Sequence, residues 1–237
     1  MIIYFLNIFL FLCLVPFILI ILILIYISDF GNPFYFSERL GILEQKFKMI
    51  KFRSMVIDAD KSKVFSTKEN DNRITKLGAI LRKYKLDELP QIINVILGDM
   101  NIVGPRPNVV SELKYYDEYE RKIFNVKPGI TDISSIIFND ESKILENSRD
   151  PDQDYRDLIH PWKIVLGLVY IKERTIMLDI KIIFLTLISL FNKKLVCDYF
   201  YRFLKEKNYP IILAEVCLRN KDMKNFSFDK NLFNKLF

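Results

Sequence analysis

Two adjacent carboxylates, Asp87 and Glu88, occupy a segment whose residue types could do chemistry. They precede Pro90 and an apolar run that ends at Gly98, a pattern that predicts a helix capped by the aspartate. The unpaired N–H groups and positive dipole of such a helix end attract phosphate and keep a nucleophilic aspartate ionised. Simple capping explains the same residues, and without further context it is the commoner explanation.

Basic residues occur in three segments near this pair. A period-two alternation of basic and apolar residues over 46–55 predicts a strand, whose basic face with Lys46, Lys48 and either Lys51 or Arg53 could meet phosphate, although a solvated face is the commoner explanation. Arg82 lies near the C-terminus of an amphipathic helix predicted over 74–84, where complementing the helix dipole is the better explanation. Two prolines flank Arg106, and such a stiff loop suits a guanidinium that forks onto phosphate.

Two other motifs leave alternatives open. The segment 127–131 predicts a tight turn in which Gly129 has a positive φ, and its lysine could be structural or face phosphate. The segment 150–154 contains overlapping Asp-x-Asp pairs, with which some glycosyltransferases hold a nucleotide sugar through a divalent metal. The prolines and charges around the second motif favour a surface turn instead.

The composition narrows the class of protein. A chain of 237 residues, 51% of them hydrophobic, can bury one core, and its net charge of +6 favours partners that carry phosphate. His160 is the only histidine, so mechanisms that need a histidine pair are disfavoured, and three scattered cysteines predict no disulfide framework. The glycine-rich patterns of P-loop and Rossmann proteins do not occur.

The N-terminus predicts a retained membrane segment. Residues 1–27 contain no charge, and Asn7 is the only strongly polar residue among them. Pro16 predicts a bend in this helix, and hydropathy alone favours a kinked spanning helix over one that enters and leaves on the same face. The apolar segment 176–191 is expected to be core or membrane interface.

Several segments together resemble the bacterial sugar transferase family, the monotopic phosphoglycosyl transferases. The resemblance covers residues 1 to about 190 in order, and its long central block makes it specific. It implies an α/β fold, a single small membrane-associated domain with a short sheet, surface amphipathic helices and an N-terminal re-entrant membrane helix. The segments that carry it, after the apolar N-terminus, are KFKMIKFRSM, RKYKLDELPQIINVILGDMNIVGPRP, KPGIT and LDIKIIFLTL.

The resemblance also implies a reaction and roles for residues. A sugar 1-phosphate passes from a UDP-sugar to undecaprenyl phosphate and UMP is released, as the first membrane step of surface glycan assembly. Asp87 is implied as the nucleophile of a covalent phosphosugar intermediate and Glu88 as a ligand of Mg2+, while Lys51, Arg82 and Arg106 are implied to bind substrate phosphate. Downstream glycosyltransferases and membrane lipid are implied partners, nucleic acid is not, and a homodimer is left open.

The implied organisation has three parts. Residues 1–27 form a re-entrant helix broken at Pro16, which reverses the conclusion from hydropathy, and residues 28–204 form the catalytic domain on the cytoplasmic face of the bacterial inner membrane. Residues 205–237 are a tail of unknown role. Many family members follow the Pro-Gly-Ile-Thr turn with Gly-Trp-Ala-Gln, whereas this chain continues with 132–136 as Asp-Ile-Ser-Ser-Ile, so the sugar is not predicted.

Two rival hypotheses make different predictions. A non-catalytic, membrane-anchored basic module explains the charge and the anchor but gives no purpose to the Asp87–Glu88 pair. An Asp-x-Asp glycosyltransferase that moves a bare sugar predicts that Asp152→Asn abolishes activity, that Asp87→Asn does not, and that uridine diphosphate is released.

Overall fold

The computed structural model describes residues 2–62, 64, 66–68 and 70–229, and within them the chain mixes helices with short strands. The strands are β1 (Phe34–Leu40), β2 (Lys46–Phe52), β3 (Asn101–Val103), β4 (Asn108–Val109) and β5 (Gly129–Thr131). The helices are α1 (Ile2–Asp29), α2 (Lys76–Lys83), α3 (Gln91–Leu97), α4 (Glu118–Arg121), α5 (Ile133–Ile137), α6 (Glu141–Ile144), α7 (Pro151–Leu158), α8 (His160–Glu173), α9 (Ile176–Ser189), α10 (Lys193–Glu206) and α11 (Ile211–Leu218). The predicted mixed class, short sheet and N-terminal apolar helix are confirmed.

Two small sheets hold the segments that carry the candidate residues. Strands β2, β1 and β4 form an antiparallel sheet in that order, and β1 pairs with β2 over its whole length. Strands β3 and β5 form a separate parallel pair. The strand predicted over 46–55 is therefore confirmed as β2, and the loop that contains Arg106 connects the two sheets because it runs from β3 to β4.

Position 129 requires a glycine because another backbone segment approaches it closely. The positive φ predicted for Gly129 is wrong. Gly129 is an extended residue of β5, and a Cβ on it would lie 2.0 Å from the Gly104 backbone nitrogen. The only described glycine with a positive φ is Gly98, which ends α3 in the left-handed conformation at φ 87°. Where β3 ends and β5 begins, the two backbones thus approach so closely that no side chain fits between them.

We expect Gly129→Ala to lower the free energy of unfolding by about 3 kcal/mol, because overpacking against backbone cannot be relieved by a rotamer change. Gly98→Ala is the matched comparison, since its added Cβ meets only the end of Lys127 at 3.7 Å and the strain of positive φ costs about 1 kcal/mol. Thermal unfolding in detergent measures both. Equal losses of stability would contradict the close approach of the Gly104 and Gly129 backbones.

The main core surrounds α8. This helix buries residues on all its sides, among them Trp162 and Tyr170, because elements pack around it from every direction. Helices α10 and α11 join the same core, and the described part of the C-terminal tail adds Phe226 against Trp162. The tail therefore packs into the domain as far as the structure describes it, and residues 230–237 lie outside the described residues.

Helix α1 is continuous through Pro16 and lies along the domain. Ile18 and Ile25 pack against Phe52 of β2, while Phe11 reaches a second cluster beneath β2 and α3. The opposite face of α1 is apolar and exposed. The described part of the helix from Asn7 to Asp29 is long and apolar enough to cross a membrane, and the re-entrant insertion stays a prediction.

Helix α9 has two apolar faces. Leu178, Ile182 and Leu185 are buried in the core, whereas Phe184 and Leu187 are more than half exposed. The expectation of a core segment is confirmed for one face of α9, whereas its other face is an exposed apolar surface, for which the membrane interface stays a prediction.

Candidate active site

The carboxylate pair lies in a tight turn between α2 and α3. Lys85 adopts the left-handed conformation at φ 57°, and residues Leu86–Glu88 form a single 3-10 turn before α3 begins. The predicted aspartate cap is wrong, because Pro90 occupies the cap position of α3 and no side chain bonds to the first N–H groups of that helix. The carboxylates are thereby left for other contacts.

Glu88 is the anchor of the site. Its Oε1 accepts a hydrogen bond from Lys51 Nζ at 3.1 Å, and the Arg106 guanidinium donates through Nη1 to Oε2 at 3.1 Å and through Nη2 to Oε1. Burial disfavours the charged carboxylate, whose side chain is 9% exposed, but Arg106 and Lys51 outweigh it and hold the pKa of Glu88 well below its usual range. Glu88 is therefore ionised and fixes both cations.

Asp87 differs from its neighbour. It is 7% exposed, and within the described residues no group donates a hydrogen bond to its carboxylate. Burial and the adjacent Glu88 raise the pKa of Asp87, while Lys51, Arg82 and Lys85 act in the opposite direction. Asp87 is thus a desolvated carboxylate that lies among cations but accepts no hydrogen bond from the described residues. Such an environment is typical of a reactive group.

The five residues singled out in the sequence come together. Lys51 reaches Glu88 from β2 and Arg106 reaches it from the loop after β3, whereas Arg82 at the end of α2 acts on Asp87 through its charge. The amphipathic helix predicted over 74–84 is confirmed as α2, capped by Thr75. Helix α2, strand β2 and the loop after β3 are therefore the elements that assemble the site.

Further charged residues beside Arg106 were missed in the sequence. Arg39 of β1 and Glu141 of α6 both lie within electrostatic reach of Arg106, and Lys163 of α8 donates a hydrogen bond to Glu141. Lys85 adds a fourth cation to the pair. Only Lys85 carried a sequence signal, its place next to the pair, because the others are brought in by tertiary structure.

The Asp-x-Asp motif has structural partners. Asp150 accepts a hydrogen bond from the Gln153 N–H and caps α7, so the surface turn expected there is in fact a helix start with Pro151 in its first turn. Asp152 accepts a hydrogen bond from the Ser66 N–H at 2.7 Å. No three metal-binding side chains are grouped within the described residues.

A buried carboxylate without a partner, set among cations that a second carboxylate holds in place, is suited to transferring a phosphate-linked group. The chain belongs to the bacterial sugar transferase family, whose family model matches residues 2–193.

Curated relatives share much of this region. The exopolysaccharide production protein ExoY of Rhizobium meliloti (strain 1021) is 31% identical over 187 residues, which are 73% of this chain and 76% of that protein. A UDP-glucose:undecaprenyl-phosphate glucose-1-phosphate transferase of Klebsiella pneumoniae is 36% identical over 183 residues, which are 76% of this chain and 37% of that protein. The galactosyl transferase CpsE of Streptococcus agalactiae serotype III (strain NEM316) is 37% identical over 169 residues, which are 66% of this chain and 34% of that protein. This chain thus spans about a third of the last two relatives.

Proposed function

We propose that this protein transfers a sugar 1-phosphate from a UDP-sugar to undecaprenyl phosphate and releases UMP. The observation that carries the proposal is the contrast within the carboxylate pair: Glu88 forms ion pairs with Lys51 and Arg106, whereas Asp87 accepts no hydrogen bond from any residue that the structure describes. The relatives named for this reaction support the same chemistry. The lipid diphosphosugar product begins a surface glycan, which downstream glycosyltransferases extend.

In the first step, a carboxylate oxygen of Asp87 attacks the β-phosphorus of the UDP-sugar. The bond from that phosphorus to the bridging oxygen breaks, and UMP leaves with the bonding electrons. Arg106, Lys51 and Arg82 stabilise the charge that moves onto the phosphate oxygens. The sugar phosphate is then an acyl phosphate on Asp87, and a difficult transfer has been divided into two displacements.

In the second step, a phosphate oxygen of undecaprenyl phosphate attacks the same phosphorus. The bond to Asp87 breaks and the carboxylate is regenerated, while the sugar phosphate becomes a lipid diphosphate. Glu88 keeps Arg106 and Lys51 in position through both steps, because its buried carboxylate pairs with both and leaves little freedom to either cation.

The oxygen donors fit a magnesium ion that shares the substrate phosphates. Mg2+ keeps several waters and is held by one or two carboxylates together with phosphate oxygens. Asp87 offers a carboxylate without a partner among the described residues, whereas Glu88 would exchange a contact with Lys51 or Arg106 to become a ligand. When bound, the ion supplies further neutralisation of phosphate charge.

The proposed location is the cytoplasmic face of a bacterial inner membrane. The domain flanks α1 from Phe11 to Ile25, about 20 Å of helix, so little of the helix is free to cross a hydrocarbon layer of about 30 Å. This supports a helix that enters the membrane and does not cross it. The exposed apolar face of α9, which includes Phe184 and Leu187, is proposed to lie at the same interface.

The side on which the N-terminus lies tests the re-entrant insertion. Cys13 is exposed and the other two cysteines are buried, so Cys13→Ser provides a background of low reactivity. In that background we expect Ile2→Cys and the domain reporter Asn72→Cys to react with an impermeant maleimide from the same side of sealed vesicles. Labelling of the two from opposite sides would mean that α1 spans the membrane.

The pH profile of turnover tests the nucleophile. Asp87 attacks only when ionised, and its pKa is raised by burial and Glu88, so kcat/KM should fall with decreasing pH at a higher pH than an exposed aspartate would give. Lys51→Met removes a charge that lowers this pKa, and the acid limb should move up by about one pH unit. Lys48→Met, an exposed neighbour on β2, should leave the limb in place. If the acid limb of the kcat/KM profile does not move in Lys51→Met, the assignment of Asp87 as the nucleophile is contradicted.

The proposed function is tested with purified protein, undecaprenyl phosphate, Mg2+ and a panel of UDP-sugars. We expect UMP release from at least one donor, with sustained turnover only when the lipid is present. Release of uridine diphosphate, or no release from any donor, would overturn the proposal.

A further inference from the structure

Arg53 binds the segment that joins helix α1 to strand β1. Its Nη1 and Nη2 each donate a hydrogen bond to the Asp29 carboxylate at 2.5 Å, and its Nε donates to the Asn32 carbonyl oxygen at 2.7 Å. Its backbone N–H donates to the Pro33 carbonyl oxygen at 2.8 Å. The residue that follows β2 therefore holds both the last residue of α1 and the connection after it.

The pair of Arg53 and Asp29, here called the clamp, fixes an orientation as well as a distance. A guanidinium that meets a carboxylate through two parallel hydrogen bonds has little freedom to rotate, and this is the geometry in which an ion pair holds its place. The Arg53 side chain is 11% exposed, and a Cβ on Gly31 would lie 2.9 Å from its Nη2. The guanidinium is thus packed against the backbone of the connection.

The clamp lies beside a residue of the active site. Lys51 donates a hydrogen bond to Glu88 at 3.1 Å, the next residue, Phe52, packs against α1, and Arg53 then holds the end of α1. An extended chain advances about 3.3 Å per residue, so about 7 Å of backbone separates Lys51 from Arg53. Three consecutive residues therefore couple the position of α1 to that of the catalytic carboxylates.

Exposed aromatic side chains mark the end of α1 at the clamp. Tyr26 and Phe30 are both more than half exposed, and their rings meet edge to face with centroids 5.7 Å apart. Exposed rings at the end of an apolar helix are typical of the boundary between the hydrocarbon and the lipid headgroups. If α1 enters the membrane as proposed, the clamp lies at the membrane surface.

We propose that the clamp holds the catalytic pocket at the level of the lipid headgroups, so that the phosphate of the lipid acceptor reaches Asp87. The inference rests on the proposed function and location. The UDP-sugar is soluble in water and reaches the pocket in any orientation of the domain, whereas the hydrocarbon chain confines the acceptor's phosphate to the headgroup layer. A tilt of the domain on α1 would therefore slow the second displacement and not the first. Arg53 is a positioning residue in this account and touches neither substrate.

The test measures the two displacements separately. Without lipid acceptor, Arg53→Ala should form the sugar phosphate adduct on Asp87, with the matching UMP, at a rate within about twofold of the wild-type rate. With undecaprenyl phosphate in lipid nanodiscs, kcat/KM for the lipid should fall roughly tenfold, mainly through KM. The apparent affinity falls because only the fraction of protein in the competent orientation binds the acceptor productively.

Two further variants separate position from stability. Asp29→Ala removes the other half of the clamp and should give the same split, which also serves if Arg53→Ala does not fold. The double variant should be no worse than the more damaging single one, because both changes remove one interaction. Arg73→Ala is the matched control, since it removes a similarly shielded pair with Asp71, and it should leave the ratio of the two rates unchanged.

The possible outcomes are distinct. A loss that is confined to the lipid step in both clamp variants supports the inference. Equal loss in the two displacements would mean that the clamp only supports the fold, and no loss in either would mean that it does not set the position of the pocket; both results overturn the inference. A wild type that forms no adduct and releases no UMP would instead overturn the proposed function itself.

Discussion

Asp87→Asn is expected to abolish UMP release, with a loss of at least roughly a thousandfold, because an amide cannot form the acyl phosphate and act as its leaving group. The fold should be unaffected. No described group bonds to the Asp87 carboxylate, and its desolvated charge beside Glu88 is unfavourable, so the melting temperature should stay the same or rise. UMP release and thermal unfolding of the same preparation measure the two effects.

The matched control is Asp152→Asn, which changes an aspartate of the Asp-x-Asp motif to the same amide. Asp152 accepts a hydrogen bond from the Ser66 N–H, a contact that an asparagine oxygen can keep. Turnover should be close to that of the wild type. An inactive Asp152→Asn beside an active Asp87→Asn, with uridine diphosphate as product, would instead identify a transferase of bare sugar.

Arg106→Ala should produce the second-largest loss, roughly 100- to 1,000-fold in kcat/KM, since it removes a guanidinium that forks onto phosphate. It also leaves buried Glu88 with Lys51 as its remaining hydrogen-bonded cation. We expect the free energy of unfolding to fall by about 2 kcal/mol, less than for a pair that loses its only partner. Kinetics and denaturant unfolding in detergent measure the two losses.

A double variant separates these losses. Adding Glu88→Gln to Arg106→Ala removes the poorly compensated charge, so stability should return toward the wild-type value while activity stays low. Arg121→Ala removes a partly exposed pair with Glu44 and should cost less than about 1 kcal/mol. Recovery of activity with stability would mean that Arg106 only supports the fold.

The centre of the site could be predicted from the sequence because its residues lie close together in the chain. Asp87, Glu88 and Arg82 lie within seven positions, and periodicity correctly predicted the helix that contains Arg82 and the strand that contains Lys51. Arg106 was found because two prolines stiffen its loop. The contact between Arg106 and Glu88 could not be derived, since it joins the loop between β3 and β4 to the turn before α3 only in the folded chain.

The wrong expectations have identifiable causes. Asp87 does not cap α3, because Lys85 adopts a left-handed conformation that is uncommon for a lysine. No pattern of residue types in the sequence predicts that conformation. Gly129 was given a positive φ because a glycine needed for close backbone approach looks the same in a sequence as one needed for a turn. Glu141 and Lys163 were missed because α6 and α8 bring them together only in the folded chain.

The central claim is that Asp87 carries the sugar phosphate, and peptide mass spectrometry tests it most directly. Wild-type protein is incubated with its UDP-sugar and Mg2+ but without lipid acceptor, then cleaved with trypsin. The peptide that begins at Leu86 should gain the mass of one sugar phosphate on Asp87, and undecaprenyl phosphate should remove it. An adduct on another residue, or UMP release without any adduct, would contradict the account.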